Sequence, residues 1–412
     1  MKAIPFFRAA TPLTPAERLA KRHLVIQDTL ALLSVLAVTC ILAVLTWLIF
    51  RSYSQHQSDA AARWKRRGED ALAQGKPAAA VYDLRTSLGY GQEDTGTQLE
   101  LAEALAEVNI PRSLGEAAVY LNTLWEKEPG NGNINLQLAR VLARQGQAQS
   151  ALDHYHAAVY GVWEGQGAVR GRQARLEMVR YQIALGRYND ARGELLIAAG
   201  NDNSTPTLME VAGLLIDAHA PADALHLYQE VARRRPVVPR ALEGAGQMAF
   251  TLGRYRTARE YLEKALNVAN AAHSLADKAL AEKNLRTASA VVALNPSPAL
   301  PQWERLRRVV RAYETARKRY TACANGNAGE TPAQNGATQI QNNQEMTALG
   351  NRWNAAPPRL TTAALANDAN LEAATMQLVY DTEQVTAHVC GEPGGDDAAL
   401  LRIATSPESV NQ

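Results

Sequence analysis

Four phenylalanines in 412 residues, with aromatics at 6% overall, leave little of the bulky side-chain material that packed sheets favour. Charge of one sign is missing too. Lys and Arg total 43 against 41 for Asp and Glu, and the net charge of +2 makes no electrostatic case for a nucleic-acid partner. The usual signatures of catalysis are absent: no HExxH, no paired CxxC, no GxxxxGK[ST] and no GxSxG. The GNAGET run from Gly326 lacks the lysine and the preceding strand of a phosphate loop. His154 and His156 are spaced i, i+2, so on a helix they point in different directions and cannot share a metal. No enzymatic activity, cofactor or metal is therefore expected. Apolar residues at 47% and charged residues at 20% are globular values, so most of the chain should fold. At this length one ordinary core does not suffice, and an extended array or several domains is expected.

The longest apolar run, TLALLSVLAVTCILAVLTWLIF at residues 29–50, holds no charge. As a helix it spans roughly 33 Å, enough for the hydrocarbon core of a bilayer. Trp47 and Tyr53 lie near one end, where interfacial aromatics are favoured. The run exceeds a signal-peptide core, so a retained transmembrane helix at 24–51 is expected, behind an N-terminal tail at 1–23. Arg18, Lys21 and Arg22 crowd its N-terminal side and favour a cytoplasmic N-terminus with the bulk translocated. Arg63, Lys65, Arg66 and Arg67 on the other side keep the opposite topology open.

Beyond the span a repeat takes over. The segment LGRYRTAREYLEKAL at 252–266 has near-copies in LGRYNDARGELLIAA at 185–199 and ARQGQAQSALDHYHAAV at 143–159. Second-helix alanines at Ala80, Ala117, Ala151, Ala191, Ala224 and Ala258 mark six units, in steps of 37, 34, 40, 33 and 34 residues. The 40-residue step contains a glycine-rich loop, GVWEGQGAVRG, at 161–171. Small residues such as Gly246 and Ala258 let two helices approach closely, and Tyr255 and Leu262 fill the space toward the next unit. Arg67 and Arg175 depart from the pattern, standing where large apolar residues are usual.

These units resemble the tetratricopeptide repeat, a helix-turn-helix of 34 residues. The resemblance covers residues 60–272, about half the chain. It implies an α-solenoid whose first helices line an inner groove that receives a protein or peptide segment, and it implies no catalysis. The position after the small core residue of each first helix then faces the groove. By that rule Arg140 and Arg180 face inward, with Arg144 one turn beyond Arg140, and Asp217, Glu243, Gln247 and Phe250 lie farther along. A basic half and an acidic half suggest an extended polar ligand, since arginine grips carboxylates bidentately. The asparagine-and-lysine clamp of chaperone-binding members is not reproduced.

The fold expected is all-α: a transmembrane helix, about six hairpins, and a helical C-terminal extension. In that extension, residues 273–324 read as a capping helix and a basic helix. A low-complexity loop follows at 325–343, then a helical segment at 344–405 and a polar tail at 406–412. Cys323 and Cys390 end two helices on either side of the loop, and pairing them would close about 67 residues. Such a disulfide needs an oxidising compartment, which agrees with a translocated bulk; two unrelated buried thiols is the other reading. The function expected is a single-pass inner-membrane scaffold with its bulk in the periplasm. It would bind the bilayer through the N-terminal helix and a polypeptide through the groove, in assembly or quality control of an envelope complex. A cytoplasmic-facing adaptor or a regulatory subunit of an enzyme complex is the alternative.

Overall fold

The computed structural model describes residues 15–90, 94–272, 275–326 and 336–405. Its helices are α1 Pro15–Ala73, α2 Pro77–Tyr90, α3 Thr95–Val108, α4 Pro111–Lys127, α5 Gly132–Arg144, α6 Ala148–Val159, α7 Gly167–Ala184, α8 Tyr188–Asn201 and α9 Thr205–Asp217. They continue as α10 Pro221–Arg234, α11 Pro239–Thr251, α12 Tyr255–Ala272, α13 Lys278–Leu294, α14 Gln302–Ala324, α15 Gly336–Ala355, α16 Thr362–Asn367, α17 Ala369–Cys390 and α18 Gly395–Thr405. Among the described residues there is no strand, so the fold is all-α.

Two compact units divide the chain, Met1–Ala174 and Arg175–Gln412. Within each, helices pair as antiparallel hairpins closed by the same device. One residue of every inter-helix turn takes the left-handed conformation: Gly75, Asn109, Gly146, Gly186, His219 and Gly253. Glycine adopts that backbone without strain, whereas a residue with a Cβ is disfavoured there. Each second helix starts two residues after this point.

Small residues earlier in each hairpin set the helix-to-helix distance. A Cβ on Gly68 would lie 2.6 Å from Leu84, and one on Gly246 would lie 2.6 Å from Leu262. Ala80, Ala151, Ala191, Ala224 and Ala258 are fully buried on the facing helices. Measured from turn to turn, the steps are 34, 37, 40, 33 and 34 residues. The alanine spacing therefore needs one adjustment. The turn at Asn109 keeps the 34-residue step from Gly75, and three extra residues sit in the first turn of the 17-residue α4, ahead of Ala117.

Two expectations about boundaries change. The apolar run does not end in a break at residue 51. It belongs to a 59-residue helix, roughly 88 Å long, that continues through 52–63 and becomes the first helix of the first hairpin. Helix α15 begins at Gly336, inside the stretch expected to be unstructured up to 343. A short helix, α16, lies within the expected helical segment at 344–405. Residues 327–335 of the expected loop lie outside the described residues, as do 1–14 and the tail at 406–412.

The glycine-rich insertion has a packing role. Trp163 lies over Gly132, where a Cβ would meet the indole at 2.3 Å, and its Nε1 donates to the Ala158 carbonyl at 2.9 Å. Val162 pairs with Asn131 in an isolated parallel bridge. Arg175 fills its apolar position as a buried ion: it pairs with Glu194 of α8, both side chains being largely shielded. Arg67 stays exposed, lies 5.2 Å from the Trp64 ring centroid and pairs with the buried Asp83 at 3.2 Å.

In Arg175–Gln412 the core runs on from the hairpins through α13, α14, α17 and α18, including Leu294, Tyr313, Val379 and Leu400. Helix α13 packs on α12. Cys323 and Cys390 are joined, with Cα atoms 5.9 Å apart, so the end of α14 is fastened to the end of α17.

Candidate partner-binding surface

In Met1–Ala174 the first helices α1, α3 and α5 lie side by side and form one face. A cleft of about 500 Å³ opens on it, lined by Leu72, Glu103, Glu107, Gln137, Arg140 and Arg144 among others. Its floor is polar and organised between neighbouring hairpins. Gln137 Nε2 donates to Glu103 Oε1 at 2.7 Å, and Arg140 Nη1 donates to Gln137 Oε1 at 3.4 Å. Arg144 donates to the Ala106 carbonyl and pairs with Glu107 at 3.2 Å.

Burial pushes the Glu103 carboxyl above the ordinary carboxylate range, against the opposing pull of Arg140 and the Gln137 hydrogen bond. Glu100, a turn earlier, is pushed up the same way, with Lys65 opposing at 3.3 Å. The face is thus a set of coupled Arg, Gln and Glu groups with exchangeable partners.

The expected basic half takes a different form in the structure. Arg140 and Arg144 do lie together on the open face, but Glu103 and Glu107 of the preceding hairpin stand against them. The rule that picks Arg140 after Ala139 also picks Glu103 after Ala102, so this signal was available in the sequence.

Arg180 belongs to the other unit, where it pairs with Glu210 of α9 at 2.8 Å, both half-exposed. Asp217 is exposed at the end of α9. The remaining three residues are engaged by the chain itself. Glu243 is only 3% exposed and accepts from the backbone N–H groups of Ala276 and Asp277 at 2.8 and 2.9 Å, tying the segment before α13 to α11. Gln247 donates to Glu243 at 3.2 Å. Phe250 meets Tyr255 edge-on at 5.4 Å, and the Arg402 guanidinium of α18 lies 4.9 Å from its ring centroid. Glu243 is therefore corrected from a groove residue to an anchor for the C-terminal extension, because its carboxylate is buried and already accepts from two backbone N–H groups and from Gln247.

The sequence of the chain matches no protein-family pattern and no curated protein. Among solved structures it is similar to a tetratricopeptide repeat protein from Parabacteroides merdae, at 14% identity over 63% of this chain and 93% of that one, with a TM-score of 0.36. It is likewise similar to Pseudomonas aeruginosa PilF, at 15% identity over 54% and 96% of the two chains, with a TM-score of 0.36. A third is YrrB, described as a TPR protein with an unusual peptide-binding site, at 17% identity over 46% and 94% and a TM-score of 0.33. The chain itself is all-α among the described residues and is built of helix-turn-helix units.

Proposed function

We propose that this protein is a membrane-anchored scaffold that holds a polypeptide partner on the first-helix face of Met1–Ala174. In this reading it serves the assembly or quality control of an envelope complex. The observation that supports it most is the continuity of α1. The same helix carries 22 uncharged residues at 29–50, none buried in the fold, and then Leu72 at the rim of the cleft. About 20 residues separate the end of the apolar run from that rim, so the cleft stands roughly 30 Å beyond the bilayer on a rigid stalk. A partner held there would sit at a fixed height above the membrane.

The bulk is assigned to the extracytoplasmic side, with Arg18, Lys21 and Arg22 retained in the cytoplasm. The Cys323–Cys390 pair is oxidised in that compartment. A reporter fused after Gln412 and active only outside the cytoplasm should be active; an inactive reporter with a correctly folded fusion supports the cytoplasmic-facing adaptor instead. The binding face is tested by crosslinked pull-down of the full-length protein. Arg140→Glu with Arg144→Glu should lower partner recovery at least tenfold while leaving the helical content unchanged, and unaltered recovery would move the interface elsewhere.

A further inference from the structure

Along α17 the buried positions form one broad stripe, Thr375, Met376, Leu378, Val379, Thr382, Glu383 and Thr386, with Cys390 one turn on. The odd member is Glu383. It is 0% exposed, and neither of its carboxylate oxygens has a hydrogen-bond partner. Two more polar groups nearby are in the same state, Oδ1 of Asp397 on α18 and Nε of Arg319 on α14. Arg319 spends its Nη2 on the Gly391 carbonyl at 2.7 Å, beside the Cys323–Cys390 bond. Three helices thus bring an acid, a second acid and a cation into one buried junction.

A buried carboxylate without donors is tolerated only when it is neutral. Burial first, and Asp397 second, push Glu383 up to about 8 against the pull of Arg319, and burial also pushes Asp397 up. The other ionic pairs around α17 leave Glu383 itself without a partner, although Asp396 adjoins Asp397 and helps push its carboxyl up. Arg305 of α14 holds Glu372, Arg352 of α15 holds Asp381, Glu345 of α15 faces His388, and Arg311 of α14 holds Asp396. Helix α16 carries no charged side chain.

We propose that Glu383 and Asp397 form a proton-operated latch on α18. While Glu383 keeps its proton, α18 stays docked; when the proton leaves, two like charges face each other across the α17–α18 contact and α18 swings out. The linker at 391–395, GEPGG, suits such a movement, because Gly391 and Gly395 already have positive φ. The disulfide holds the end of α17 to α14, so the release is confined to α18. Docked α18 buries Ala399, Leu400 and Ile403 and lays Arg402 over Phe250. Its release uncovers Phe250 of α11 and the surface of α13 against which α18 packs.

The docked state raises the Glu383 pKa from an ordinary value near 4.5 to about 8. Its advantage is complete below pH 4.5, falls about tenfold per pH unit from there to 8, and is level above 8. Amide hydrogen exchange on the full-length protein in nanodiscs, corrected for intrinsic rates between pH 6 and 9, reads this directly. Protection at 395–405 should fall about tenfold per unit to pH 8 while 369–390 stays protected, and Glu383→Gln should make it independent of pH. A flat profile in the native protein, or an unchanged slope in Glu383→Gln, overturns the latch. Should Glu383→Gln fail to fold, infrared spectroscopy of the native protein decides. A buried protonated carboxyl band must vanish near pH 8 in step with the exchange, and its absence is equally fatal.

Discussion

The two units build with the same hairpin and finish it in opposite ways. In Met1–Ala174 the face formed by α1, α3 and α5 keeps its polar side chains at a cleft open to solvent. In Arg175–Gln412 the corresponding residues of α11 are consumed by the chain: Glu243 by the backbone before α13, and Phe250 by Arg402. Each hairpin leaves an apolar flank that must be covered, and an array ends only where something other than another repeat covers it. Here α13, α14, α17 and α18 do so and share one core with the hairpins. The difference between the units is thus between a polar face left open to solvent and a face already covered by the chain.

The sharpest way to break this contrast is to loosen the cover. The Cys323–Cys390 bond closes a span of 67 residues, and loop-closure entropy makes it worth about 4 kcal/mol. Cys323→Ser with Cys390→Ser should lower the stability of Arg175–Gln412 by that amount in denaturant unfolding and leave the unfolding of Met1–Ala174 in place. Equal loss in both units would deny that they have separate cores.

A smaller effect is expected at the anchor. Glu243→Ala removes the acceptor shared by the backbone N–H groups of Ala276 and Asp277, a loss of about 2 kcal/mol. Exchange protection at 276–280 should fall first, and protection in α5 should not move. If the start of α13 stays protected, Glu243 does not hold it.

The smallest effect compares equivalent turns. Gly146→Ala in one unit should cost about 1 kcal/mol, because its φ is +76°. His219→Gly at the matching turn of the other should recover strain of similar size, offset by losing the edge-on contact with Tyr188 at 4.5 Å. Thermal unfolding of the two variants gives the sign of each.

Much of this fold was legible because hairpin packing is local. Gly68, Gly246, Ala80 and Ala258 repeat at the period of the structure they build, and their burial follows from that period. The insertion at 161–171 showed itself as a 40-residue step, although nothing local revealed that Trp163 would need Gly132. The site was less legible, for a physical reason that differs between residues. Arg144 and Glu107 are complementary charges one repeat apart, a pattern that spacing alone can reveal. Glu243, by contrast, finds its donors in a non-repeating connection 33 residues later, and Phe250 meets a side chain on α18, so periodicity carries no trace of either partner. The register of α4 slipped because Ala117 is buried like its counterparts but stands one helical turn farther from its own turn residue.

The most direct test places a photo-crosslinking residue at Glu107, on the open face, and separately at Gln247, on the covered one, in the full-length protein in its native membrane. At neutral pH the expected result is a covalent partner adduct from position 107 and none from 247. Adducts from 247 alone, with 107 silent, would contradict the assignment of the partner to Met1–Ala174.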